Sequence, residues 1–84
     1  MTDRTLYISN LPPSATEEEL SVKFARYGTV VSARIVFDGA SKRSKGFGFV
    51  EMASGAEAIA AVRGLNLTTY DGRLMSVNPA RSSE

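Results

Sequence analysis

The sequence predicts an α+β domain in the order β-α-β-β-α-β, and three observations carry that expectation. Four segments read as strands, Leu6–Ser9, Lys45–Met52 and Leu74–Asn78 by alternating apolar and polar residues and Val30–Phe37 by its β-branched content. Two Ser/Thr-x-x-Glu boxes, Thr16 with Glu19 and Ser54 with Glu57, each open a helically spaced apolar stripe. Turn-forming residues separate these segments.

Leu6 to Ser9 reads as the first strand, with Leu6 and Ile8 inward and Tyr7 and Ser9 outward. Asn10-Leu11-Pro12-Pro13-Ser14 stops it. The first helix then starts at Thr16, and Glu17, Glu18 and Glu19 favour its N-terminal dipole. Its stripe is Leu20, Phe24 and Tyr27, and Gly28 supplies a left-handed stop. Tyr27 is thereby expected in the core. Val30–Phe37 is rich in β-branched residues but apolar on both faces. With Ala33 and Ile35 inward, Arg34 points outward.

Asp38–Ser44 is a loop bearing Lys42 and Arg43, and it leads into the third strand. There Lys45, Phe47, Phe49 and Glu51 share one face, while Gly46, Gly48, Val50 and Met52 share the other. Unpaired charges are almost never fully buried, so the face holding Lys45 and Glu51 is the exposed one. Two exposed rings beside a cation form a platform for stacking the bases of an anionic polymer.

The second helix opens at Ser54 and presents Ala58, Ala61, Val62 and Leu65, mostly small residues that allow close approach to a sheet. Tyr70-Asp71-Gly72-Arg73 reads as a tight turn before the last strand, Leu74–Asn78. Met75 and Val77 face inward there, and Leu74, Ser76 and Asn78 outward. Pro79 ends it. This order is the ferredoxin-like arrangement: a four-stranded antiparallel sheet with two helices on one face and the other face open.

Lys45-Gly46-Phe47-Gly48-Phe49-Val50-Glu51-Met52 resembles the RNP1 element of the RNA-recognition motif family at seven of eight positions. Met52 replaces the family's last aromatic. Alternation puts it beside Val50 on the core face, where a flexible thioether repacks without loss of binding. Leu6-Tyr7-Ile8-Ser9-Asn10-Leu11 is similar to the family's RNP2 hexamer, and the resemblance runs from about Thr5 to about Ala80.

The resemblance implies binding of single-stranded RNA on the open face. It puts the first and third strands in the centre of the sheet and Tyr7 beside Phe49. In the family, the aromatics at the positions of Tyr7 and Phe49 each stack a base and the one at Phe47 packs on sugars. Lys45 would meet a phosphate. Arg34 shares that face by alternation, and Lys42 and Arg43 are loop cations that guide the backbone. Ser76 and Asn78 offer hydrogen bonds on the edge strand, and the Ala80-Arg81 backbone stands where family members contact a base edge. A family-type domain that binds a protein partner is the alternative reading, and intact Tyr7, Phe47 and Phe49 argue against it.

Eighty-four residues fit one domain, residues 1–84, with a core from about 5 to 80 and short flexible ends. Cys and His are both lacking, and neither a metal site, a cofactor nor a catalytic triad is expected, so the reading is of a binder and not an enzyme. A ferredoxin-like phosphatase would want an Arg- and Asn-lined anion cradle after the first strand, and Pro12-Pro13-Ser14 offers none. Gly46-x-Gly48 is no phosphate loop, because no helix follows it. Asn10 and Gly46 are read as structural.

Ten Lys+Arg against nine Asp+Glu leave a net charge of +1, which by itself suggests no nucleic acid. Distribution matters more: Arg34, Lys42, Arg43 and Lys45 fall within twelve residues. No apolar run reaches a membrane span, and Met1-Thr2-Asp3-Arg4 lacks a signal pattern. The expectation is an intracellular, cytoplasmic (or, in a eukaryote, nuclear) monomer that binds single-stranded RNA and possibly ssDNA, with no membrane partner.

Overall fold

A computed structural model of the chain describes residues 4–80; Arg81 and the outermost ends read as flexible lie outside the described residues. The elements are β1 (Thr5–Ser9), α1 (Glu17–Ala25), β2 (Val30–Phe37), β3 (Ser44–Met52), α2 (Gly55–Leu65), β4 (Thr68–Tyr70) and β5 (Arg73–Pro79). All strand pairs are antiparallel, in the order β2-β3-β1-β5-β4. β1 and β3 are therefore neighbours at the heart of the sheet.

The fold class is the expected ferredoxin-like α+β arrangement, with one correction: the sheet has five strands and not four. Thr68-Thr69-Tyr70 is too short to show a period of its own. It becomes a strand only by pairing with β5, in the register Thr68 with Met75, Thr69 with Leu74 and Tyr70 with Arg73. Between them Asp71 and Gly72 both take positive φ, 48° and 87°, as a two-residue hairpin turn requires. The turn is where the sequence put it, but strands flank it on both sides.

One core lies between the sheet and the helices. From the sheet it takes Leu6, Ile8, Ile35, Val50, Met52, Met75 and Val77, and from the helices Leu20, Phe24, Ala58 and Ala61. Tyr70 joins them with its hydroxyl hydrogen-bonded, and no charged residue is buried as a whole among the described residues. Ala58 and Ala61 of the small stripe of α2 are buried in this core, and Gly64 leaves room for the ring of Tyr27, which packs half-buried against it.

Both helix starts are capped: Thr16 Oγ1 accepts the Glu19 N–H at 3.0 Å and Ser54 Oγ accepts the Glu57 N–H at 3.3 Å. The glutamates are used elsewhere. Glu19 Oε1 accepts the Tyr70 hydroxyl at 2.6 Å, while Glu57 Oε1 is buried without a partner among the described residues, its chain lying where a Cβ on Gly28 would sit. At the exit of α2, Leu67 takes φ +63°, a conformation that costs a non-glycine residue about 1–2 kcal/mol. Its N–H donates to the Met75 carbonyl at 2.7 Å, and Asn66 Oδ1 accepts the Val77 N–H at 2.9 Å. The backbone of β5 thus enforces this turn.

Candidate nucleic-acid interface

With both helices behind the sheet, the outward side chains form a surface whose rows are set by the strand registers. Arg34 pairs with Phe49, Phe49 with Tyr7, and Tyr7 with Asn78. Four strands thus present one transverse row, from a guanidinium across two rings to an amide. The next row pairs Phe47 with Ser9 and Ser9 with Ser76. In both rows the strands alternate cleanly: Leu6, Ile8, Val50 and Val77 between them are fully buried.

The rings form one cluster. Tyr7 lies 5.6 Å from Phe49 and 5.8 Å from Phe47, tilted at 53° and 43°, and Phe47 meets Phe49 edge-on at 6.4 Å. These separations suit aromatic pairing, which holds the rings in place before any ligand arrives. Phe49 remains 37% exposed while its neighbour Val50 is 0% exposed.

Glycines shape β3 beneath the rings. A Cβ on Gly48 would collide with the Arg34 carbonyl oxygen, so glycine here lets β2 close onto β3 and brings Arg34 alongside Phe49. Gly46, at φ +87°, turns the strand entrance, donates its N–H to Ser44 Oγ at 3.0 Å and accepts the Leu11 N–H at 2.9 Å. The β2–β3 register shifts between Ile35 and Phe37, and there the Ile35 N–H donates instead to Glu17 Oε2 of α1 at 2.9 Å. Glu17 therefore does more than favour the helix dipole, since it holds the strand that carries Arg34.

Lys45 is exposed at the entrance of β3, and Lys42 and Arg43 are exposed in the preceding loop. That loop is closed by its own backbone: the Asp38 N–H donates to the Arg43 carbonyl and the Lys42 N–H to the Asp38 carbonyl, both at 2.7 Å. The Asp38 carboxylate accepts from Ser41 N–H at 2.8 Å, Ser41 hydroxyl at 3.1 Å and Ala40 N–H at 3.1 Å. Those bonds, from Ser41 above all, hold its carboxyl below the usual range. On β5, which β4 displaces from the edge of the sheet expected for it, Asn78 Nδ2 donates to Ser76 Oγ at 3.1 Å.

Thus Tyr7, Phe47, Phe49, Arg34, Ser76 and Asn78 come together on one surface, Lys45, Lys42 and Arg43 cluster at the β2–β3 end, and Arg81 lies outside the described residues. Ser9, in the centre of the second row, was not among the residues singled out, although its alternation with Ile8 marks it. Asn10 has the structural part expected: at φ +60° it donates to the Leu74 carbonyl at 2.8 Å and accepts from Arg73 Nη1 at 3.0 Å, tying β1 to β5. Among the described residues, no group of three or more His, Cys, Asp or Glu could hold a metal, and no helix is long and apolar enough to cross a membrane.

An open sheet with clustered aromatics, cations on one flank and a helical back defines a surface-binding module. The model of the RNA recognition motif family matches residues 6–76, and the chain belongs to that family. The matched motif is one of recognition and not of catalysis. It is similar to the 28 kDa chloroplastic ribonucleoprotein of Nicotiana sylvestris, 47% identical over 75 residues, which are 89% of this chain and 27% of that protein. It therefore spans about a quarter of that relative's length. A protein of Nostoc sp. named as the RNA-binding protein RbpB is 41% identical over 80 residues, 95% of this chain and 78% of its own. Among solved structures, the RNA binding protein PG1 superposes with a TM-score of 0.90 at 36% identity, covering 96% of this chain and 98% of the other. The Sxl-lethal protein/RNA complex gives 0.87 at 34% identity, over 93% of this chain and 48% of the other.

Proposed function

We propose that the chain binds single-stranded RNA on the open face of its sheet. The observation that carries this reading is the row Arg34–Phe49–Tyr7–Asn78, with Phe47 closing the ring cluster. Tyr7 and Phe49 each stack a base, and Phe47 packs against sugars. Lys45 meets a phosphate, with Arg34, Lys42 and Arg43 guiding the backbone. Ser76 and Asn78, followed by the Ala80-Arg81 backbone, offer hydrogen bonds to base edges. Duplex RNA is disfavoured, since paired bases cannot lie flat on a sheet and their major groove is too narrow for side chains.

The binding unit is one domain, with its core between about residues 5 and 80, and it acts as a monomer because a single sheet presents the whole surface. Relatives named as ribonucleoproteins and a neighbour solved with RNA support the choice of ligand. An RNA ligand implies an intracellular setting. Fluorescence anisotropy with a labelled single-stranded RNA, its duplex and the matching ssDNA tests the reading. Tight binding to the single strand and far weaker binding to the duplex is expected, whereas equal affinities would show that the sheet is not the site. Retained affinity for the ssDNA would extend the ligand class, and its loss would assign a role to the 2′-hydroxyl.

A further inference from the structure

Glu17 is the first residue of α1, behind the sheet, yet it is bonded to the strand that carries Arg34 on the front. Its Oε2 accepts the Ile35 N–H at 2.9 Å. The carbonyl of the same peptide group, that of Arg34, abuts Gly48 of β3 so closely that a Cβ there would collide with its oxygen. The Arg34–Ile35 peptide is thus held on both sides, by β3 at its oxygen and by α1 at its N–H. In the described sheet β2 is an edge strand paired with β3 alone, so no neighbouring strand takes that N–H. The anchor is firm as well, because Leu20 and Phe24 sink α1 into the core. A peptide is planar, so fixing it fixes ψ of the residue before it and the direction in which that residue's side chain leaves the strand. Arg34 is also the last outward residue of β2 before the ladder with β3 loses register.

We propose that Glu17 is a positioning residue for RNA binding: by holding the Arg34–Ile35 peptide from behind, it aims the Arg34 guanidinium at the phosphate beside the base stacked on Phe49. Arg34 pairs with Phe49 in the strand register, is exposed, and forms no ion pair among the described residues. The bond from Ile35 to Glu17 is charge-assisted, and without it the amide of a buried residue would be left unpaired. The Arg34–Ile35 peptide would then turn to find another partner and carry the guanidinium off the row. Glu17 therefore aids the binding of a polyanion although its own charge opposes it. The inference rests on the RNA-binding reading above and deepens it.

Charge and geometry pull in opposite directions here, so the test is one of sign. A labelled single-stranded octanucleotide of randomised bases is titrated with the wild type, Glu17→Gln, Glu17→Ala, Arg34→Ala, Phe49→Ala and the double variant Glu17→Ala/Arg34→Ala. Circular dichroism melting sets a temperature at which all of them are folded. Glu17→Gln keeps the acceptor and removes the charge, and it is expected to bind as tightly as the wild type or more tightly. Glu17→Ala removes both and is expected to bind about threefold or more weakly than Glu17→Gln, with the slope of log affinity against log salt flattened by up to about 0.7, the value of one phosphate contact. In the Arg34→Ala background the same change has little effect, because the side chain it aims is gone. Binding by Glu17→Ala as tight as by Glu17→Gln would overturn the proposal. So would a loss that persists undiminished without Arg34, as a merely structural role predicts. Arg34→Ala at wild-type affinity, with Phe49→Ala defective, also overturns it and leaves the sheet reading standing. If the wild type does not bind the RNA, the sheet reading fails and the role of Glu17 fails with it.

Discussion

Phe49 and Val50 are adjacent in one strand, yet the sheet gives them opposite surroundings. Val50 is sealed under the helices with Leu6 and Ile8, whereas Phe49 faces solvent between Arg34 and Tyr7. The same division runs through β1, where Tyr7 lies between two fully buried residues. Both crossovers pass behind the sheet, so one face provides the burial that holds the domain together and the other is free to be polar, charged and aromatic. On the proposed reading, stability and binding fall to alternate residues of the same strands.

Substitutions on neighbouring residues test that division, and the largest effect belongs to the covered face. Leu6→Ala is expected to cost about 2–5 kcal/mol of stability, a large share of what so small a domain has, while the protein that remains folded still binds RNA. A melting temperature close to wild type would break the comparison at its stronger side.

The next effect is alkaline and also concerns the covered face. Burial, with help from the bond to Glu19, pushes the Tyr70 hydroxyl up to about 12 from an ordinary value near 10. Folding thus favours the neutral phenol. Its contribution is complete below about pH 10 and is lost as the pH rises toward 12, on the order of 2 kcal/mol across that window. Denaturant melts at stepped pH should show a shallower decline for Tyr70→Phe than for wild type. Parallel declines would remove Tyr70 as the cause.

On the open face, Phe49→Ala removes a stacking surface worth roughly 1–3 kcal/mol per base, and binding should weaken between about fivefold and a hundredfold. Its cost to the fold is confined to lost ring contacts with Tyr7 and Phe47, about 1 kcal/mol. An unfolded variant, or a folded one with wild-type affinity, would refute the assignment of the face.

Two smaller changes sharpen the comparison. Lys45→Ala should flatten the slope of log affinity against log salt by about 0.7, with base preference nearly unaltered. An unaltered slope would remove its phosphate contact. Leu67 belongs to neither face, being 61% exposed at positive φ. Leu67→Gly relieves about 1–2 kcal/mol of backbone strain, offset by about 0.4–1 kcal/mol of unfolded-state entropy. A gain of a few degrees or less in melting temperature, with RNA affinity unchanged, is the expected outcome, and a loss of stability would show that the Leu67 side chain contributes more than its exposure suggests.

Much of this was legible along the chain because it depends on neighbours in sequence. Thr16 and Ser54 cap the helices as their spacing requires, and the period-two pattern sorted Leu6, Ile8, Val50, Met52, Met75 and Val77 to the core. It also set Tyr7, Phe47 and Phe49 on one surface. The glutamates of the two capping boxes were less legible, because a carboxylate three residues into a helix can also reach outward. Glu19 meets Tyr70, fifty-one positions away, and Glu57 Oε1 is buried without a partner among the described residues; Glu17, outside both boxes, meets the backbone of β2. Phe37 is not legible as a surface residue, because β2 is apolar on both sides and alternation does not say which way it turns.

Residue order alone determined both helices and four of the five strands, most of the inward and outward sets and the chemistry of the open face, since alternation and capping act over two to four residues. Only the tertiary structure decided which residues stand beside one another. The row from Arg34 to Asn78 needs three strand registers at once, and one of them holds a shift where Glu17 takes up the Ile35 N–H. The fifth strand exists only because β5 lies alongside it, and the positive φ of Leu67 only because the same strand holds its N–H. Such features are satisfied by backbone partners far away in sequence, whose positions no local pattern of side chains encodes.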